Sequence, residues 1–78
     1  MDWSNHVVSD SAILVGKPVV RGTRLSVEFL LGLLAAGWTE EQLLENYPTL
    51  SREGLRAVFA FARECLMDEA LYVLPATG

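Results

Sequence analysis

The sequence predicts a mainly α domain: a short N-terminal β-strand pair, then three helices, the last two with helix-turn-helix proportions. Three observations carry this. His6-Val7-Val8-Ser9 and Pro18-Val19-Val20-Arg21 are the two stretches with strand character. After Arg24 the apolar period becomes helical. Three helix starts then share one grammar: a hydrophobic residue, a Ser or Thr, and a Leu four positions beyond the hydroxyl residue.

The strand element is expected over residues 6–24. Pro18 stiffens the start of its second half, and Gly22 permits a left-handed turn. An extended Pro-Val-Val-Arg run followed by a sharp turn would present Thr23 and Arg24. Leu25-Ser26 precedes Leu30, Trp38-Thr39 precedes Leu43, and Leu50-Ser51 precedes Leu55. Each is an N-cap with a hydrophobic staple, the hydroxyl satisfying an orphan amide and N′ packing on N4. Gln42 completes a capping box with Thr39. Each cap contributes about 1 kcal/mol.

The first helix is expected over residues 27–36, with Val27, Leu30, Leu31 and Leu34 on one face and Gly37 as C′ residue. The second is expected over residues 40–46, with Glu40 and Glu41 at the positive end of its dipole and Pro48 after its end. The third starts at Arg52 and is expected to run to Tyr72. Its apolar stripe would be Leu55, Val58, Phe59, Ala62 and Leu66. Cys65 reads as core, and Trp3 and Trp38 as packing or interface anchors.

A chain of 78 residues forms one domain, residues 1–78, that buries little surface by itself. Its 51% hydrophobic content points to an interface beyond the monomer core. The net charge of −4 argues against indiscriminate nucleic-acid coating. Cys65 and His6 are each single, so a disulfide and a zinc site are not expected. No segment reads as a membrane span or a secretory leader, and the expected compartment is the cytoplasm.

The cations are few and placed. Lys17, Arg21 and Arg24 supply half of the six basic residues within Gly16-Lys17-Pro18-Val19-Val20-Arg21-Gly22-Thr23-Arg24. Such a segment suits an anionic partner, or equally a charged sheet edge that discourages aggregation. Arg52, Arg56 and Arg63 fall within about 40° on a helical wheel at 100° per residue. Arg52 and Arg63 have no acidic residue three or four positions away within the helix, and Arg56 has only Glu53. Arginines without local partners are available for phosphates or for carboxylates across the fold, such as Glu40, Glu41 or Glu45.

Catalytic patterns are absent. Glu40-Glu41 and Asp68-Glu69 are adjacent pairs, and adjacent helical residues do not face one another. Ser4, Ser9, Ser11 and His6 lack an orienting acid. Gly16, Lys17 and Gly22 do not have phosphate-loop spacing. The expectation is a protein that is not an enzyme and carries no cofactor. Leu71-Tyr72-Val73-Leu74, before Pro75, is an apolar end segment suited to folding back or to docking on a partner.

Gly16 to Leu25 resembles the signature of a small prokaryotic family, domain of unknown function four-three-three, often described as VapB-like antitoxins. The likeness continues through Leu33-Leu34-Ala35-Ala36-Gly37-Trp38-Thr39 and Glu41 to Leu50, and ends in Arg56-Ala57-Val58-Phe59-Ala60-Phe61-Ala62. It covers roughly residues 6–66. Val15 stands where a smaller residue is expected and Ser26 where Pro is frequent. The resemblance implies a homeodomain-like helix-turn-helix and an antitoxin role in a type II toxin–antitoxin pair, beside a PIN-like nuclease.

The combined expectation is a homodimer that joins through its N-terminal strands and surplus apolar surface. It would set two third helices on DNA half-sites. Lys17, Arg21, Thr23, Arg24, Arg52, Arg56 and Arg63 would contact DNA, and Leu71, Tyr72, Val73 and Leu74 the toxin. A stand-alone transcriptional regulator and a protein-interaction module without DNA binding are the alternatives.

Overall fold

A computed structural model describes residues 2–9 and 16–68. A 3-10 turn (Trp3–Asn5) leads into β1 (Val7–Ser9), then β2 (Pro18–Val20), α1 (Val27–Ala35), α2 (Glu40–Asn46) and α3 (Arg52–Asp68). The strand pair and three helices follow the expected order. The portion of the third helix expected beyond Asp68 lies outside the described residues, as do Leu71, Tyr72, Val73 and Leu74.

The two strands pair antiparallel with Val7 opposite Val20, Val8 opposite Val19 and Ser9 opposite Pro18. Val7, Val19 and Val20 are buried. Arg21 extends the ladder by donating its N–H to the His6 carbonyl at 2.7 Å. The chain then reverses over six residues, closed by Val20 N–H to the Leu25 carbonyl at 3.0 Å. Inside this loop the Thr23 N–H returns to the Val20 carbonyl, with Gly22 at φ 81°, a value that favours glycine. A further bridge pairs Val19 with Ser26 and leads directly into α1.

All three hydroxyl caps form. Ser26 Oγ accepts the Phe29 N–H at 2.9 Å, and Ser51 Oγ accepts the Gly54 N–H at 2.9 Å. Thr39 and Gln42 close the reciprocal box at 3.1 and 2.8 Å. α1 ends in a Schellman motif: the Trp38 N–H reaches the Leu33 carbonyl and the Gly37 N–H reaches Leu34, with Gly37 at φ 106°. The three N4 leucines, Leu30, Leu43 and Leu55, are 0% exposed and are the largest fully buried side chains. The staple positions therefore form the centre of the core, with Leu50, Ala57 and Val58 beside them. Burying each leucine contributes about 2 kcal/mol.

α3 departs from its expected stripe in its second half. Leu55 and Val58 are buried, but Phe59 is 43% and Leu66 61% exposed. Phe61 and Ala62 are the half-buried residues there. Phe61 meets the Trp3 ring edge-on, with centroids 4.8 Å apart. The cause is tertiary: the 3-10 turn lies against α3, and the Trp3 indole N–H donates to the Glu64 carboxylate. Cys65, expected in the core, is exposed although it lies one turn beyond Phe61 on the same side of α3; it is Phe61 that the Trp3 ring meets. Trp3 and Trp38 are packing residues, both half-buried against the core.

Candidate nucleic-acid interface

The β2–α1 loop and the outer face of α3 carry the five arginines, and Lys17 directly precedes β2. Arg21, Arg24, Arg52, Arg56 and Arg63 are exposed. Among the described residues none of these arginines pairs with a carboxylate, and Glu40, Glu41 and Glu45 do not reach across to them. Lys17 differs. Its ammonium sits 3.0 Å from the Glu28 carboxylate, the two side chains being 60% and 77% exposed. A solvated pair of this kind contributes little to stability, and the Glu28 carboxylate beside it offsets part of the positive field that Lys17 offers to another anion.

α3 is positioned on the strand end by a close approach. A Cβ on Gly54 would lie 3.0 Å from Val20 Cγ1. The first turn of α3, which carries Arg52 and leads into Arg56, therefore sits against the residue preceding Arg21. At 1.5 Å rise per residue, the eleven steps from Arg52 to Arg63 extend the guanidinium row over about 16 Å.

Thr23 does not join this surface. It is 8% exposed, its hydroxyl donating to the Val20 carbonyl at 2.8 Å and accepting the Leu25 N–H at 3.0 Å. Both hydroxyl functions are engaged within the loop. Thr23 is the internal brace that fixes Arg24, and it is not itself a surface contact. The sequence expectation that the turn presents both residues is corrected here: bonds to Val20 and Leu25 hold Thr23 inward, and Arg24 stays outside.

Two further surface features were not anticipated. Phe29, 45% exposed, packs perpendicular to Tyr47 at 5.9 Å, and Tyr47 lies 6.4 Å from Trp38. Arg24, Leu25, Ser26, Phe29 and Tyr47 line a cleft of about 400 Å³. The only sequence signal was their proximity to two helix boundaries. The second feature is an apolar groove of about 420 Å³ between α1 and the end of α3, lined by Pro18, Val27, Leu31, Phe61, Cys65 and Leu66 with Glu28. Of these, Leu66 is expected in the apolar stripe by helical period and Cys65 in the core by its apolar neighbours; period gives a residue's side of the helix but not where its partners stop.

Asp2 is held below 3.8, first by the Ser4 hydroxyl and then by the Ser4 backbone amide, which cap the 3-10 turn.

The architecture defines a small three-helix domain with an N-terminal two-stranded antiparallel sheet and an arginine-bearing third helix. Among the described residues no helix is long and apolar enough to cross a membrane. The chain belongs to the family described as protein of unknown function (DUF433), whose profile matches residues 7–62. It is similar to the uncharacterized protein y4eO of Sinorhizobium fredii (strain NBRC 101917 / NGR234), with 43% identity over 56 residues. That match covers 72% of this chain and 25% of the relative, so the chain spans about a quarter of the relative's length. No solved structure matches it.

Proposed function

We propose that this protein is a non-catalytic DNA-binding regulator of the antitoxin type, with α2, the Tyr47-Pro48-Thr49-Leu50 turn and α3 serving as a homeodomain-like helix-turn-helix. The supporting observation is the exposed row of Arg52, Arg56 and Arg63 on α3, unpaired among the described residues in a chain of net charge −4. Guanidiniums with no ion pair among the described residues are available to meet phosphates. A homodimer would present two such helices to symmetric half-sites. Promoter binding would then repress its own gene, and a PIN-like nuclease would be the neutralised partner.

The test is a gel-shift titration on the upstream promoter at two salt concentrations. Specific binding that weakens steeply with salt is expected. Arg52→Ala with Arg56→Ala should abolish the shift while the far-UV circular dichroism stays unchanged. No shift at any protein concentration refutes the DNA reading. Growth rescue on co-expression with the neighbouring nuclease tests the antitoxin role separately, and a chain without such a neighbour would be a stand-alone regulator.

The protein-interaction alternative is favoured by the groove between α1 and α3. Leu66 is 61% exposed at its edge, more apolar surface than a monomer needs to show. Retained partner binding in the double arginine variant, without any promoter shift in the wild type, would select that reading.

A further inference from the structure

We propose that the cleft of Arg24, Phe29 and Tyr47 binds an unpaired nucleotide, its base on the Phe29 ring and its phosphate on the Arg24 guanidinium. The inference deepens the nucleic-acid reading above and rests on it. The cleft's volume of about 400 Å³ is that of a small-ligand site, commonly roughly 300–1,000 Å³. Its lining supplies one cation and two aromatic rings and no carboxylate. That combination matches the two surfaces of a nucleotide: a π-face that stacks and an anion that takes a guanidinium.

The geometry is prepared for a ligand. Phe29 is held by perpendicular packing on Tyr47 and yet stays 45% exposed, while Leu30, its neighbour on α1, is 0% exposed. Arg24 projects from a backbone clamped on one side by the Thr23 hydroxyl bond to the Leu25 amide and on the other by the Val20–Leu25 closure. Fixing the Phe29 ring and the backbone that carries Arg24 before binding lowers the ordering cost of recognition. Bases inside a duplex have their faces covered by neighbouring bases, so the ligand must be unstacked, as in a single strand or an extruded position. Carboxylates that pair elsewhere do not intrude: Glu28, one residue from Phe29, is engaged by Lys17.

The same chemistry could come from a strand or from a free nucleotide, and the experiment separates them. Fluorescein-labelled single-stranded decathymidylate is titrated by anisotropy, with unlabelled thymidine monophosphate as competitor. The promoter duplex is run in parallel by gel shift. Binding of the decamer is expected, with Phe29→Ala weakening it at least about fivefold. The duplex shift in Phe29→Ala should stay within about twofold of wild type. If Phe29→Ala does not fold, Phe29→Leu keeps the apolar bulk and removes the π-face. Competition by the monophosphate at equal nucleotide concentration assigns a free-nucleotide site, and its absence assigns a strand. Decamer binding indifferent to both Phe29 variants, or no binding of either probe, overturns the proposal. A surviving duplex shift in that case leaves the α3 interface standing, and its loss removes both.

Discussion

Replacing Thr23 with Val exchanges one hydroxyl for a methyl at nearly constant shape. The lost group makes two hydrogen bonds, to the Val20 carbonyl at 2.8 Å and from the Leu25 amide at 3.0 Å. The two losses are unequal. The Val20 carbonyl keeps the Thr23 N–H at 3.0 Å. The Leu25 amide keeps nothing among the described residues. An orphaned, part-buried donor costs about 1–3 kcal/mol, so the expected loss is about 2 kcal/mol. In a domain of this size that lowers Tm by about 8–16 °C, at 4–8 °C per kcal/mol. Thr23→Ser retains the hydroxyl and loses one methyl, which costs about 1 kcal/mol or less. Thermal unfolding followed at 222 nm, with guanidinium titration beside it, measures both variants. A Thr23→Val shift under about 2 °C would refute the brace. So would a variant of wild-type stability that no longer binds promoter, because Thr23 would then act at the surface.

The glycines give a paired test of opposite sign. A Cβ at Gly32, in the exposed interior of α1, meets nothing within 4 Å, so Gly32→Ala should stabilise by about 0.5–1 kcal/mol, read as a raised Tm. At Gly54 the new Cβ would meet the buried, β-branched Val20 at 3.0 Å. Gly54→Ala should therefore lower Tm despite its better helix propensity. Asp2 gives a pH test. Its folded-state value is depressed below 3.8 by Ser4, so its contribution is present above that value and lost as pH falls through the lower folded one. The Ser4 amide resonance should move in that acid range and stay flat in Asp2→Asn, and a midpoint at or above 3.8 would contradict the cap.

Much of the framework was legible along the chain. Cap, staple and period are local: Ser26, Thr39 and Ser51 each bond an amide three residues on, within a single turn. The same spacing picked out Leu30, Leu43 and Leu55, because a residue stapled over a helix start must face inward in any packing. Gly22 and Gly37 took positive φ for the same short-range reason.

Long-range contact decided the rest. Thr23 faces inward because Val20 and Leu25 close over it, which no residue type in the loop announces. Phe61 is half-buried and Cys65, one turn on along the same side of α3, is open, because Trp3, 58 positions before Phe61, packs on the Phe61 ring. The Phe29–Tyr47 cleft joins the start of α1 to the end of α2, two places whose meeting depends on the packing of both helices. Hydrogen bonds that close within one turn are fixed by spacing, so the sequence by itself determined the helices and their buried leucines. Which side chains remain exposed depends on what distant segments cover, and only the tertiary structure could decide that.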